Sequence, residues 1–211
     1  AQMSGTYTVG HVNDSFPTLD SALIALSTFG MTGDVELIIS DGFYNSMALN
    51  SFVPQTPFTL TISSASENPH QVVFGQASFY NSENITIRNI GFKKQHANYH
   101  YSAVTIDGCH NFRLVSCRII DSVNALFNYD ASALILNCPY INKPMNVYID
   151  STFIMGLSGI PPYQEPCKTI FLDGSSSCHH VFREDSILGN WHSMGGQFKR
   201  DFYKCFIKNT R

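Results

Sequence analysis

From Val72 onward the chain repeats a short apolar run: Val72-Val73-Phe74-Gly75, Val104-Thr105-Ile106-Asp107, Leu126-Phe127-Asn128-Tyr129, Val147-Tyr148-Ile149-Asp150 and Ile170-Phe171-Leu172-Asp173. Alternating positions within these runs predict strands with one buried face. The steps from Val104 to Leu126, Val147 and Ile170 are 22, 21 and 23 residues. A recurrence of about 21 to 25 residues without helical segments between the strands predicts a β-solenoid. The one long step, from Val72 to Val104, is assigned to a polar insert over Lys93 to Ser102.

A second strand track follows the first. Asn84-Ile85-Thr86-Ile87-Arg88-Asn89-Ile90-Gly91-Phe92 aligns position by position with Asn111-Phe112-Arg113-Leu114-Val115-Ser116-Cys117-Arg118-Ile119. Ala133 to Tyr140 is assigned to the same track, with His180 to Ile187 and Arg200 to Ile207 as weaker members. Alternation then points Ile85, Phe112 and Ala133 inward on one level, and Ile87, Leu114 and Ile135 on the next. Asn89, Ser116 and Asn137 share a turn position that tolerates unusual backbone angles. Cys117, Cys138 and Cys205 fall beside it and are expected to form a reduced interior ladder instead of disulfides.

The N-terminal part differs. Asp14 to Phe29 carries a helix signal: Asp14 or Ser15 as N-cap, Pro17 in the first turn, and Ala22, Leu23, Ala25, Leu26 and Phe29 on an apolar face. Gly30 and Gly33 end it, and Val35-Glu36-Leu37-Ile38-Ile39 reads as a buried strand before an Asp41-Gly42 turn. A helix here would cover the open end of a strand stack. Phe16-Pro17-Thr18-Leu19-Asp20-Ser21-Ala22-Leu23, then Gly33 to Ile39, then Gly42-Phe43-Tyr44, resembles the opening of pectinesterase-like β-helix proteins and of bacterial surface β-helix proteins. The resemblance covers roughly the first 75 residues. It implies an all-β chain: a right-handed parallel β-helix of the pectin-lyase-like kind with an N-terminal capping helix.

The expected organisation is one domain, residues 1–211, with 1–45 forming the N-terminal strand, cap and first rung and 46–211 the further rungs. The chain ends soon after the strand-like Phe202 to Ile207, without a capping helix, so it is expected to be a fragment whose end meets further domains or a partner chain. Charged residues make up only 14% of the chain against 44% hydrophobic, which suits β-structure outside the cytoplasm. Beginning at Ala1 and not Met, the chain is read as secreted or displayed on a cell surface. No window is dense in Lys and Arg, which argues against a nucleic-acid partner, and no apolar run is long enough to span a bilayer. No spacing calls for a metal or cofactor.

Read down the stack, the outward positions of the first track are Val73, Thr105, Phe127, Tyr148 and Phe171, with Gly75, Asp107, Tyr129, Asp150 and Asp173 beside them. Aromatic faces next to carboxylates suit a sugar chain, so Phe127, Tyr129, Tyr148, Asp150, Phe171 and Asp173 are the candidate ligand-binding residues for a polysaccharide or surface glycan. Cover of these rings by Tyr99, Tyr101 or Pro161-Pro162-Tyr163, with Asp107 and Asp173 as turn formers, is the competing structural reading. If the chain were an enzyme, Asp150 with Asp173 would suit a retaining carboxyl pair and Asp107 with Asp150 an inverting one. A lyase would draw its base from Lys93, Lys94 or Arg113. The motifs that carry catalytic residues in pectinesterases, polygalacturonases and pectate lyases have no counterpart here, so no catalytic residue is assigned. Three classes stay open: a noncatalytic adhesion or glycan-binding module, a polysaccharide hydrolase or lyase, and a structural spacer or assembly domain.

Overall fold

The computed structural model describes residues 2–54, 57–94, 102–121, 132–138, 145–156, 168–174, 178–194 and 199–208. Among the described residues, six coils contribute one strand to each of three parallel sheets, Met3–Val9 adds a strand to the first sheet alone, and the Lys199–Tyr203 coil adds strands to two. Sheet A stacks Met3–Val9, Met31–Ile39, Leu60–Ser64, Glu83–Arg88, His110–Val115, Met145–Asp150, Cys178–Arg183 and Lys199–Tyr203. Sheet B stacks Gly42–Tyr44, Val72–Phe74, Gly91–Lys94, Arg118–Asp121, Phe153–Gly156, Ser186–Leu188 and Phe206–Lys208. Sheet C stacks Met47–Asn50, Ala77–Tyr80, Val104–Asp107, Ser132–Cys138, Lys168–Gly174 and Asn190–Met194. The chain is a right-handed parallel β-helix.

Alternation supplies the core. In sheet A, Leu37, Ile62, Ile87, Leu114, Ile149, Phe182 and Phe202 stand in register on successive coils. All but the last are essentially fully buried. Sheet C adds Val104, Leu134 and Ile170, and sheet B adds Phe92, Ile119, Ile154 and Ile187. At about 25 cal/mol per Å² of apolar surface removed from water, this column holds the coils together. Phe79 and Phe112 meet across it with centroids 4.8 Å apart.

The capping helix is present but shorter than expected, Leu19–Phe29. Thr18 takes the N-cap because its hydroxyl and that of Ser21 form a reciprocal capping box, leaving Asp14 to bind the His11 amide and Ser40 instead. Gly30 closes the helix as expected, while Gly33 falls inside the next strand. Leu19, Ala22 and Leu26 face the stack.

The expected stacking of the first track is overturned. Val104 and Ile170 lie in sheet C, separated by the Ser132–Cys138 strand, whereas Val147 lies in sheet A and Val72 in sheet B. Leu126 to Tyr129 lies outside the described residues. The second track holds for Ile85 with Phe112 and Ile87 with Leu114, but its next member is the Val147 strand, not Ala133. The Cys178–Arg183 and Lys199–Tyr203 strands belong to sheet A as expected. In sheet C Ala133 is buried as expected, but it is Leu134 and Leu136 that are buried beyond it, while Ile135 stands beside Thr105 on the half-exposed face. Strands of different sheets share one local pattern, so spacing alone cannot tell them apart. Cys117 and Cys205 are free, as expected, and so is Cys109, whereas Cys178, which is not among the cysteines of the expected ladder, is disulfide-bonded.

Leu114→Ala is expected to lower stability by about 2–5 kcal/mol, because a cavity opens in the middle of the column. Arg113→Ala, on the outer face of the same strand, should cost only about 0.5–1 kcal/mol. Urea unfolding of the two variants checks both values.

Candidate functional site

Five successive coils, from Glu83–Arg88 onward, pass from sheet A to sheet B through the same two-residue corner. The first residue takes a left-handed conformation: Asn89 (φ 56°), Ser116 (52°), Ser151 (52°), Glu184 (54°) and Lys204 (54°). The second is the residue at the core side of the corner: Ile90, Cys117, Thr152, Asp185 and Cys205. Left-handed backbone costs a non-glycine residue roughly 1–2 kcal/mol. Hydrogen bonds between coils offset it: the Ser116 amide donates to Asp150 O at 2.9 Å, Ser151 to Arg183 O at 2.7 Å and Glu184 to Tyr203 O at 2.9 Å. The ladder expected at Asn89 and Ser116 therefore exists, but it continues through Ser151, Glu184 and Lys204 instead of Asn137.

Two clefts run along this corner. One, of 590 Å³, is lined by Glu67, Pro69 and His70 from the loop after the Leu60–Ser64 strand, and by Arg118, Phe153 and the corner residues Asn89, Ser116, Cys117 and Ser151. The other, of 510 Å³, lies between Asp150, Arg183, Glu184, Tyr203 and Lys204. Ser151 lines both, so they run end to end. The loop reaches the corner only because Gly91 has no side chain; a Cβ there would collide with the Pro69 carbonyl oxygen.

Arginines and aromatics interlock on neighbouring coils. Arg113 stacks over Tyr148 at 4.9 Å, Arg118 over Phe153 at 5.8 Å and Arg183 over Tyr203 at 5.8 Å. In each pair the two residues are in register. Arg183 also approaches Asp150 at 4.0 Å, and Lys204 meets Glu184 at 3.5 Å. The groove thus presents aromatic rings, guanidinium and ammonium donors, hydroxyls, the Glu67 carboxylate, and the Asp150 and Glu184 carboxylates with a cation within 4.0 Å.

Of the sequence-derived candidates, Tyr148 and Asp150 sit on the outer face of sheet A, and Asp150 lines the groove. Asp107, Phe171 and Asp173 belong to sheet C, so neither Asp150 with Asp173 nor Asp107 with Asp150 forms a carboxyl pair. Phe127 and Tyr129 lie outside the described residues. Asp107, Asn137 and Asp173 are instead in register on three successive coils, and Asn137 Nδ2 donates to Asp107 Oδ2 at 2.9 Å. Partial burial raises the Asp107 carboxyl above its usual range, opposed by that hydrogen bond. Arg118, Phe153, Arg183, Tyr203 and His70 were missed. The repeated quartets Val115-Ser116-Cys117-Arg118, Asp150-Ser151-Thr152-Phe153, Arg183-Glu184-Asp185-Ser186 and Tyr203-Lys204-Cys205-Phe206 carried the signal for the first four.

Several titratable groups of the interior are kept neutral. Burial pushes the Cys117 thiol up to about 12 and Cys109 to about 11, so neither is a nucleophile. Burial, then the neighbouring His179 and Arg200 charges, lowers His180 to about 4. Among the described residues no cluster of His, Cys, Asp and Glu could hold a metal ion, and no helix is long and apolar enough to cross a membrane.

No family model matches the chain, and no curated protein matches it. Solved structures do. A Parabacteroides merdae protein provisionally assigned to the glycosyl hydrolases matches 97% of this chain and 98% of its own at 15% identity, with a TM-score of 0.54. The fold is that of the pectin-lyase-like β-helices. The Aspergillus niger pectin methylesterase matches 100% of this chain and 88% of its own at 14% identity and a TM-score of 0.45. A mannuronic-acid-specific lyase of family 6 from human gut microbiota matches 95% of this chain and 54% of its own at 13% identity and a TM-score of 0.46. At these identities the likeness is one of fold.

Gly91→Ala is expected to lift the Glu67–His70 wall off the corner and to destabilise the chain by about 1–3 kcal/mol. Thermal unfolding gives the loss, and amide shifts of His70 and Ser116 report the opened cleft.

Proposed function

We propose that this chain is a secreted or cell-surface β-helix that binds an extended carbohydrate along the corner between sheets A and B. The observation that carries the proposal is the pair of clefts that share Ser151 and follow the coil axis. Phe153 and Tyr203 offer ring surface to sugar C–H faces, and Arg118, Arg183, Lys204 and the serines offer donors to its oxygens. Asp150 and Glu184 are each engaged by a cation, which suits recognition better than proton transfer. The disulfide at Cys178 agrees with an oxidising compartment. The assignment of the Parabacteroides merdae neighbour agrees with a carbohydrate ligand.

A second reading, polysaccharide hydrolysis, draws on a different face. Asp107 stands on the half-exposed face of sheet C, with Asp173 at the same register position two coils on. The Asp107 carboxyl, held above its usual pKa range by partial burial, suits a general acid there.

A glycan array on the purified chain separates the readings. Tyr203→Ala and Phe153→Ala are each expected to weaken a hit about tenfold, a loss of about 1.4 kcal/mol, while Asp107→Asn leaves binding intact. Release of reducing ends that disappears in Asp107→Asn would move the assignment to hydrolysis. Absence of any binding across a broad panel would sink the carbohydrate proposal.

A further inference from the structure

The second cleft depends on one coil, Lys199–Tyr203 with Phe206–Lys208, which supplies Tyr203 and Lys204. That coil also covers Asp185. This carboxyl sits at the core side of the corner and is 1% exposed. Its Oδ1 accepts the Thr152 amide at 2.7 Å, while its Oδ2 has no hydrogen-bond partner among the described residues. The next coil is tied to the same residue, with the Phe206 amide donating to Asp185 O at 2.8 Å and Cys205 occupying the equivalent corner position.

We propose that this coil is a pH-sensitive latch on the carbohydrate groove, with the Asp185 carboxyl as its sensor. The inference rests on the groove being the binding site. Closing the coil takes the carboxyl out of water with one oxygen unpaired, and opening it returns that oxygen to solvent. The charged and titratable groups around Asp185 are Asp150 from the coil on one side, the neutral Cys205 thiol from the coil on the other, and Arg183 and Glu184 on its own coil, with Lys204 held outward by Glu184. None is a cation hydrogen-bonded to Asp185. His179 and Asp201, in contact at 2.8 Å, tie the same coil to the preceding strand of sheet A, and Arg200 is in register with His180.

Burial raises Asp185 to about 7, with the Thr152 amide opposing and Asp150 adding to the rise. The closed coil therefore holds a protonated carboxyl that the open coil releases. Its closure is fully supported below pH ~4, and the support is lost as pH rises towards 7, with no further change above. The opening constant should rise roughly tenfold per pH unit across that window.

Hydrogen exchange of the Phe206 and Glu184 amides from pH 4 to 8, divided by the intrinsic rates, measures that constant in the 211-residue chain. The expected result is the tenfold-per-unit rise in the wild type and a flat profile in Asp185→Asn. A flat wild-type profile overturns the latch, and so does the same slope in both proteins. Should Asp185→Asn fail to fold, the wild-type profile still decides. For any array hit, affinity for the wild type should fall relative to Asp185→Asn between pH 4 and 7. A pH slope without any glycan hit would keep the latch and remove only its ligand; a glycan hit without the slope would remove the latch alone.

Discussion

In a parallel β-helix every backbone N–H and C=O of a coil that is not exposed at an end must find its partner on the coil before or after it. That requirement fixes the coils in register, and the register decides which side chains stack. Here it aligns Leu37, Ile62, Ile87, Leu114 and Ile149 into one inward column, and Glu36, Thr61, Thr86, Arg113 and Tyr148 into the outward one beside it. A slip of one residue would exchange the two columns.

The same constraint makes the groove. A coil that turns sharply while keeping its ladder needs one left-handed residue at the corner, and five coils use the same place for it. Residues before and after that place are thereby repeated along the axis as Asp150, Arg183 and Tyr203 on one side and Arg118 and Phe153 on the other. The cation and aromatic pairs are a by-product of that repetition. Each places a guanidinium from one coil over a ring from the next, so the walls of the clefts are braced by the stacking that spaces them.

Polar groups behind the corner show how far the column tolerates departures from an apolar interior. Cys117 and Thr152 satisfy themselves against the backbone, with the Thr152 hydroxyl donating to Asp150 O at 3.1 Å and the Cys117 amide donating to that hydroxyl at 3.3 Å. Asp185 does so with only one of its two oxygens. A buried carboxyl in that condition favours its neutral form, which is why its chemistry depends on whether the next coil is in place.

Strand alternation, the capping helix and the stacked-coil class were legible in the sequence, because each rests on local periodicity: Ile85-Thr86-Ile87 against Phe112-Arg113-Leu114, or Ala22 and Leu26 on one helical face, although Phe29, read onto that face, is exposed. The pairing of Tyr148 with Arg113, and the separation of Asp150 from Asp107 and Asp173, were not. Val104-Thr105-Ile106-Asp107 and Val147-Tyr148-Ile149-Asp150 read alike although they belong to sheets C and A. Unequal connections, short from His180 to Arg200 and long from Phe112 to Val147, hide the true period. By itself the sequence determined which residues of each strand point inward over most of the chain and that the strands stack. Which strands lie over one another, and so which side chains share a groove, was decided only by hydrogen bonds between residues distant in the chain.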